Sequence, residues 1–228
     1  MKKTIQVKIN MKKNLHQIWS KGSLPVKYKL LQKSLIDLHP DWNYKLWNLD
    51  ECRNLIKEKY NFFLKTFDNY QYDIQRIDSA RIFILNEYGG LYCDLDIHFY
   101  KNLQPLLENK QAIFFESYDQ IGTKNKKIID NYVMYNNNSK FFKNIIKKIP
   151  FLLKGYNRDI TDLRKNIYYG CGHNFISNLR KIDKYDSEVL SSKYFEYYYT
   201  DEKYKGEDFI YGIHLNHKTW FDNQNISL

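Results

Sequence analysis

The chain predicts an α/β fold with a mixed, mainly parallel central sheet flanked by helices, on three observations. Strand-like and helix-like apolar segments alternate through the first hundred residues, the pattern of βα units that feed a parallel sheet. One strongly periodic helical stretch ends at a Gly-Gly pair and runs at once into an apolar strand that leads to Asp94-Leu95-Asp96. The 228 residues, 43% hydrophobic, suffice for one compact core and are too few for two independent ones, so 1–228 reads as a single domain.

Residues 1–13 are lysine-rich and alternate weakly, as a loose tail or an edge strand would. Leu15-His16-Gln17-Ile18-Trp19 reads as a short buried strand, with His16 belonging to the fold. Pro25 opens a helix whose apolar side is Val26, Leu30, Leu31, Leu35 and Leu38, and His39-Pro40 stops it. Residues 42–47 alternate as a second strand. Asp50 then caps a helix with Leu55 and Ile56 inward. The strongest helical signal covers 72–88, with Ile74, Ile77, Ile82, Phe83 and Leu85 on one side and Gly89-Gly90 as terminator. Leu91-Tyr92-Cys93 continues as a strand into the two aspartates. Further strands are expected at 112–115, 132–135, 194–199 and 209–214, and helices at 141–148 and 172–181.

Composition excludes several classes. The +10 charge comes from 36 basic against 26 acidic residues, and the lysines lie singly and in pairs. That is a diffuse basic surface, with no motif for a specific nucleic acid. Three cysteines without a C-x-x-C pair argue against a disulfide framework and a structural zinc site. No apolar run exceeds four residues, which predicts no membrane span and no signal-peptide core. A soluble, cytoplasmic protein is expected, with peripheral contact at a membrane left open.

Asp-x-Asp alone carries little weight in a chain with this many aspartates, so its setting decides. In an extended segment Asp94 and Asp96 would project to one side while Leu95 packs inward. Two like charges so placed favour a cation, and hard oxygen donors select Mg²⁺ or Mn²⁺, which complete their shell with substrate phosphates. The alternative is a solvated turn with two incidental aspartates. On the preceding helix Asp78 and Arg81 lie three apart and share a face. Arg81 could clamp a phosphate or orient Asp78, or the two could form a surface ion pair.

In this order the segments resemble glycosyltransferase family 32, the Asp-x-Asp sugar transferases related to the initiating mannosyltransferase of fungal outer-chain glycans and to the clostridial glucosylating toxins. The resemblance runs through residues 15–19, Pro40 to Trp47, and a central block of Asp78, Arg81, Leu85, Gly89-Gly90, Tyr92, Asp94 and Asp96. It is weaker beyond residue 110: Gly170-Cys171-Gly172 stands where the family often has Gly-Pro-Gly, and Thr219-Trp220 replaces a terminal Ser-Trp.

The resemblance implies a GT-A-type domain, a UDP- or GDP-sugar donor with Mn²⁺ or Mg²⁺, retention of anomeric configuration, and a hydroxyl acceptor on a glycan, glycolipid or protein. By position, it implies that Trp19 stacks on the base, that Asp78 and Arg81 hold the donor sugar and its phosphate side, and that Tyr92 lines the same pocket. Asp94 would contact ribose or metal, Asp96 would ligate the metal, and His214 would approach it, with His217 a neighbouring competitor. Two rivals stand beside this reading. One is a haloacid-dehalogenase-like phosphatase with Asp94 as nucleophile and Asp96 as acid; the other is a basic single-strand-binding module, suggested by the charge and the 17% aromatic content.

Overall fold

A computed structural model describes residues 10–116, 129–154, 172–182, 186–197 and 208–217. Strand β1 (Asn14–Ile18) leads through helix α1 (Val26–Leu38) into β2 (Asn43–Trp47), which lies parallel beside it. Helices α2 (Leu49–Lys59), α3 (Asn61–Asp68) and α4 (Asp73–Tyr88) then carry the chain to β3 (Gly90–Cys93), parallel to β1 on its other edge. The sheet therefore grows outward from β1 in both directions. The carboxyl ends of β1 and β3 meet at the switch point where open α/β sheets bind ligands.

Beyond β3 come β4 (Ile97–Phe99), the short α5 (Gln104–Leu107), β5 (Ala112–Glu116), β6 (Ile129–Asn136) and α6 (Lys140–Lys154). After them follow α7 (His173–Ile182), β7 (Ser187–Leu190), a 3-10 turn, β8 (Phe195–Tyr197) and β9 (Gly212–His214). The main sheet has the order β2-β1-β3-β6-β5-β7, and β6 alone runs against its neighbours. A second sheet, β4-β9-β8, sits beside it. This is the mixed, mainly parallel architecture that the alternating pattern predicts.

Side-chain alternation divides the interior in two. Tyr92, Ala112 and Phe114 join α2, α3, α4, α6 and α7 on one face of the sheet. Leu91, Cys93, Ile113 and Phe115 pack on the other face with Leu35 of α1 and with Ile97, Phe99 and Phe195 of the small sheet. No helix among the described residues is long and apolar enough to cross a membrane.

Several local expectations change. The cap of α2 is Asn48, whose side chain accepts from the Glu51 N–H while Glu51 reaches back to the Asn48 N–H; Asp50 sits in the first turn instead. Along α1 the buried residues are Tyr28, Leu31 and Leu35, whereas Val26 and Leu30 face solvent. The periodicity was satisfied by Tyr28, which an apolar count of aliphatic residues passes over. Helix α3 buries Phe63 and Phe67, one turn apart, and no sequence expectation covered it. The aspartates do not continue an extended strand: β3 stops at Cys93 and the chain turns at Leu95-Asp96 into β4. Strands 194–199 and 209–214 contract to β8 and β9, with 198–199 outside the described residues, as are 1–9 of the expected tail.

Two features lock α4 to β1. Gly90 has φ +95°, and a Cβ there would lie 2.3 Å from the Asn14 carbonyl oxygen, so neither the backbone angle nor the space admits another residue. His16, 4% exposed, donates from Nε2 to the Gly89 carbonyl at 3.0 Å and accepts at Nδ1 from the Trp47 indole at 3.2 Å. Both ring nitrogens are thus used by the neutral form. Burial pushes the His16 pKa down to about 4, against the Gly89 contact.

Between an unfolded pKa of 6.5 and about 4, the unfolded chain binds a proton that the folded chain refuses, so stability falls as pH drops through that window. The expected loss is about 3 kcal/mol relative to His16→Gln, which keeps a donor and an acceptor without titrating. Urea denaturation of both proteins across this range checks it; parallel profiles would remove His16 from the account.

Candidate active site

The Asp94-Asp96 turn is clamped from three sides. The Asp94 N–H donates to the Tyr132 carbonyl at 2.8 Å, and Gln17 Nε2 of β1 donates to the Asp94 carbonyl at 3.3 Å. The Leu215 N–H, just past β9, donates to the Asp96 carbonyl at 2.9 Å. Between the aspartates Leu95 is 7% exposed and packs with Tyr28 and Leu31 of α1. The turn therefore achieves what an extended strand was expected to do: two carboxylates outward, one leucine in.

Behind it, Asp78 and Arg81 of α4 form a pair whose side chains are only 6% and 3% exposed, so the surface ion-pair reading falls. Arg81 Nη2 lies 2.7 Å from Asp78 Oδ1, while Nη1 donates to the Asn131 carbonyl at 2.7 Å and lies 3.4 Å from Asp94 Oδ1. The guanidinium sits 4.7 Å from the Tyr92 ring centroid, and the Tyr92 hydroxyl donates to the same Asp94 Oδ1 at 2.7 Å. Asn131 Nδ2 donates to Asp78 Oδ1 at 3.1 Å. One oxygen of Asp94 is thus held from inside by two residues.

The charges are coupled accordingly. Burial raises the pKa of Asp78, and the Arg81 charge opposes that shift. Asp94 is raised by burial, opposed by Arg81 and pushed further up by Asp96. For Arg81, burial works against the charge, but Asp94, Tyr92 and Asp78 outweigh it and keep the guanidinium protonated.

A bulge in β6 supplies the inner contacts. Neighbouring Phe114 and Phe115 of β5 face Met134 and Asp130, so 131–133 leave the β5 ladder. There the Asn131 carbonyl accepts from Arg81, while the Tyr132 carbonyl, on the β3 side, accepts from the Asp94 N–H and extends the β3–β6 ladder past Cys93–Val133. Bulges commonly re-aim residues beside a site in this way.

Asp94, Asp96 and His214 each offer a ligand atom, and these atoms lie within 4.8 Å of one another. The β4–β9 pairing sets His214 opposite Ile97, next to the turn. His214 Nε2 is 3.3 Å from Asp96 Oδ1, and its ring stacks on Tyr132 at 4.7 Å and 19°. Burial alone would raise Asp96, but the hydrogen bond and charge of His214 hold it below the ordinary carboxylate value. Conversely, burial alone would lower His214, and Asp96 lifts it above the ordinary imidazole value.

His217 plays a different part. Its backbone N–H donates to Asp96 Oδ2 at 2.9 Å and its ring meets the edge of Tyr28 at 5.6 Å. Two carboxylates with one imidazole fit Mn²⁺ or Mg²⁺, the hard oxygens favouring both and the nitrogen favouring Mn²⁺.

Trp19 follows β1 at the same sheet end, half-buried, 5.2 Å from the Tyr28 ring, with its indole N–H on the Lys21 carbonyl. Gly170-Cys171 and Thr219-Trp220 lie outside the described residues. Sequence reasoning missed Gln17, Asn131 and Tyr132. A signal existed for Gln17 and Asn131, polar residues amid apolar strand segments and 1% and 8% exposed; none existed for Tyr132.

Residues 25–113, which include both aspartates, match the glycosyltransferase sugar-binding region containing a DXD motif. This stretch is similar to the sugar-binding region of Asp-x-Asp glycosyltransferases. Over 95 residues, 42% of its length, the chain is 46% identical to inositol phosphoceramide mannosyltransferase 3 of Schizosaccharomyces pombe, covering 27% of that protein. Over 95 residues it is also 44% identical to mannosyl phosphorylinositol ceramide synthase SUR1 of Saccharomyces cerevisiae, covering 42% of this chain and 25% of that one. The matched segments are thus about a quarter of those relatives' length.

The UDP-bound glycosyltransferase domain from the YGT toxin superposes with a TM-score of 0.50 at 10% identity, over 79% of each chain, which places the fold in the GT-A class. The phosphatase alternative gains no support from a match that assigns both aspartates to a sugar-binding region.

Replacing Arg81 with Met leaves the buried Asp78 carboxylate without its cation, and the expected loss of stability is about 3–5 kcal/mol. Adding Asp78→Asn recovers part of it. Chemical denaturation of the single and double variants checks both; a loss below about 1 kcal/mol for Arg81→Met would contradict a buried pair.

Proposed function

We propose that this protein transfers a hexosyl group from a nucleotide-diphosphate sugar to a hydroxyl acceptor, with Mn²⁺ or Mg²⁺ and with retention of anomeric configuration. The observation that carries the proposal is the convergence of Asp94, Asp96 and His214 to within 4.8 Å at the sheet's switch point. Two of the three lie inside the matched sugar-binding region.

In this reading Asp96, His214 and the second oxygen of Asp94 hold the cation and, through it, the donor diphosphate. When bound, the cation supplies positive charge to the departing diphosphate. Tyr92 and Arg81 fix Asp94 by its other oxygen, and Asp78 with Asn131 fixes Arg81 in turn. In the described geometry Arg81 and Asp78 act as positioning residues, since both are turned inward to protein partners. Trp19 stacks on the nucleotide base at the end of β1.

Retention rests on the family resemblance. A front-face route fits it, in which the leaving phosphate oxygen takes the proton of the acceptor hydroxyl as the new glycosidic bond forms on the face the diphosphate leaves.

The yeast relatives are named as mannosyltransferases of inositol phosphoceramide, so a mannosyl nucleotide and an inositol-phosphate glycolipid form the first donor and acceptor to test. Cation-stimulated hydrolysis of the donor, and transfer to the acceptor, should fall at least about a hundredfold in Asp96→Asn. The variant's thermal midpoint should stay near wild type. Wild-type turnover in a folded Asp96→Asn protein would remove Asp96 from the cation site.

A further inference from the structure

The two most exposed large apolar residues described are both on α1: Val26 at 71% and Leu30 at 64%. They are one turn apart and therefore share a face. That face points away from Tyr28, Leu31 and Leu35, which the same helix buries. Exposed Lys27, Lys29 and Lys33 flank it, against one exposed acid, Asp37, which pairs with Lys33. A helix that already has a buried side needs no second apolar face for folding, and isolated exposed aliphatics are usually scattered rather than adjacent. A paired aliphatic protrusion ringed by lysines matches the chemistry of an anionic bilayer surface, where the stems insert and the ammonium groups meet lipid phosphates.

We infer that the outer face of α1 docks the protein on an anionic phospholipid membrane. The inner face of the same helix reaches the candidate active site: Tyr28 contacts the rings of Trp19 at 5.2 Å and His217 at 5.6 Å, and the His217 N–H binds Asp96. Docking thus sets the carboxylates about one helix diameter, roughly 10 Å, from the headgroups. Presenting a lipid-borne acceptor there rests on the proposed transferase reading; membrane binding itself does not.

The test is sedimentation of the purified chain with vesicles of phosphatidylcholine alone or mixed with phosphatidylserine. The chain should bind the mixed vesicles, bind phosphatidylcholine weakly, and release as salt is raised. Val26→Ser/Leu30→Ser should weaken partitioning about tenfold or more. Lys27→Gln/Lys29→Gln/Lys33→Gln should do likewise, whereas Lys57→Gln/Lys59→Gln, on exposed positions of α2, should not.

All the substituted residues are exposed, and the thermal midpoints should confirm that the variants fold. Three results would overturn the inference: no binding to anionic vesicles, equal loss from the α2 lysines, or wild-type binding by the Val26→Ser/Leu30→Ser chain. A fourth would be a concentration-dependent dimer, seen by sedimentation velocity and abolished by Val26→Ser/Leu30→Ser, because it would assign the face to a second copy. Each readout is binding, so failure here leaves the transferase reading standing, and loss of activity in Asp96→Asn leaves this inference untouched.

Discussion

The Arg81 guanidinium is the fixed point on which the candidate site depends. It is 2% exposed, yet it lies between Asp78 at 2.7 Å and Asp94 at 3.4 Å and rests over Tyr92. Burying a cation and a carboxylate together costs several kcal/mol per ion in lost hydration, recovered only where geometry and hydrogen bonds are good. Here the recovery comes from a planar fork whose two Nη atoms serve Asp78, Asn131 and Asp94 at once, which the point charge of a lysine could not match. The benefit is directional: Asp94 is held by one oxygen from behind, so its other oxygen is presented without side-chain search.

The scaffold makes that arrangement possible by three devices acting together. Gly89-Gly90 lets α4 turn sharply onto β3 and lets β3 approach β1 at Asn14, which sets the register that brings Arg81 behind Tyr92. The β6 bulge withdraws 131–133 from β5, and the Asn131 carbonyl there accepts from Arg81. The small sheet then brings His214 to Asp96 across a long stretch of chain. Stability is conceded at each point, in backbone angle, in ladder hydrogen bonds and in buried charge, and each concession lies within the site or next to it. Helix α1 links that site to the molecular surface, its inner Tyr28 ring meeting Trp19 and His217 while its outer side carries Val26 and Leu30.

Legibility in the sequence followed the range of the interactions. Helix α4, its glycine stop and β3 are local, and their spacing alone predicted them with small errors of boundary, whereas the two aspartates were expected on an extended segment and sit on a turn. The sheet's mixed, mainly parallel character was also expected, but the strand order that creates the switch point appears only in the structure. His214 could be singled out only by resemblance, since nothing near it in sequence marks it as facing Asp96. Asn131 acts through a bulge, and a bulge leaves no periodic trace; Tyr132 acts through its pairing with β3 and its stacking on His214, both long-range contacts. On α1 the aliphatic spacing was real but misassigned: Tyr28 took the inward place, leaving Val26 and Leu30 outside. Asn48 displaced Asp50 as cap because a reciprocal pair with Glu51 satisfies two backbone N–H groups, where Asp50 could satisfy one.

The central claim is that Asp94, Asp96 and His214 form one divalent-cation site that holds a nucleotide diphosphate. Electron paramagnetic resonance of Mn²⁺, titrated with the protein and with UDP or GDP, measures this without reference to turnover or acceptor. The account predicts one bound ion per chain, tightened by a nucleoside diphosphate and lost when His214 is replaced by Ala in a chain that still folds. Mn²⁺ binding that is unchanged by His214→Ala, or indifferent to either nucleotide, would contradict it.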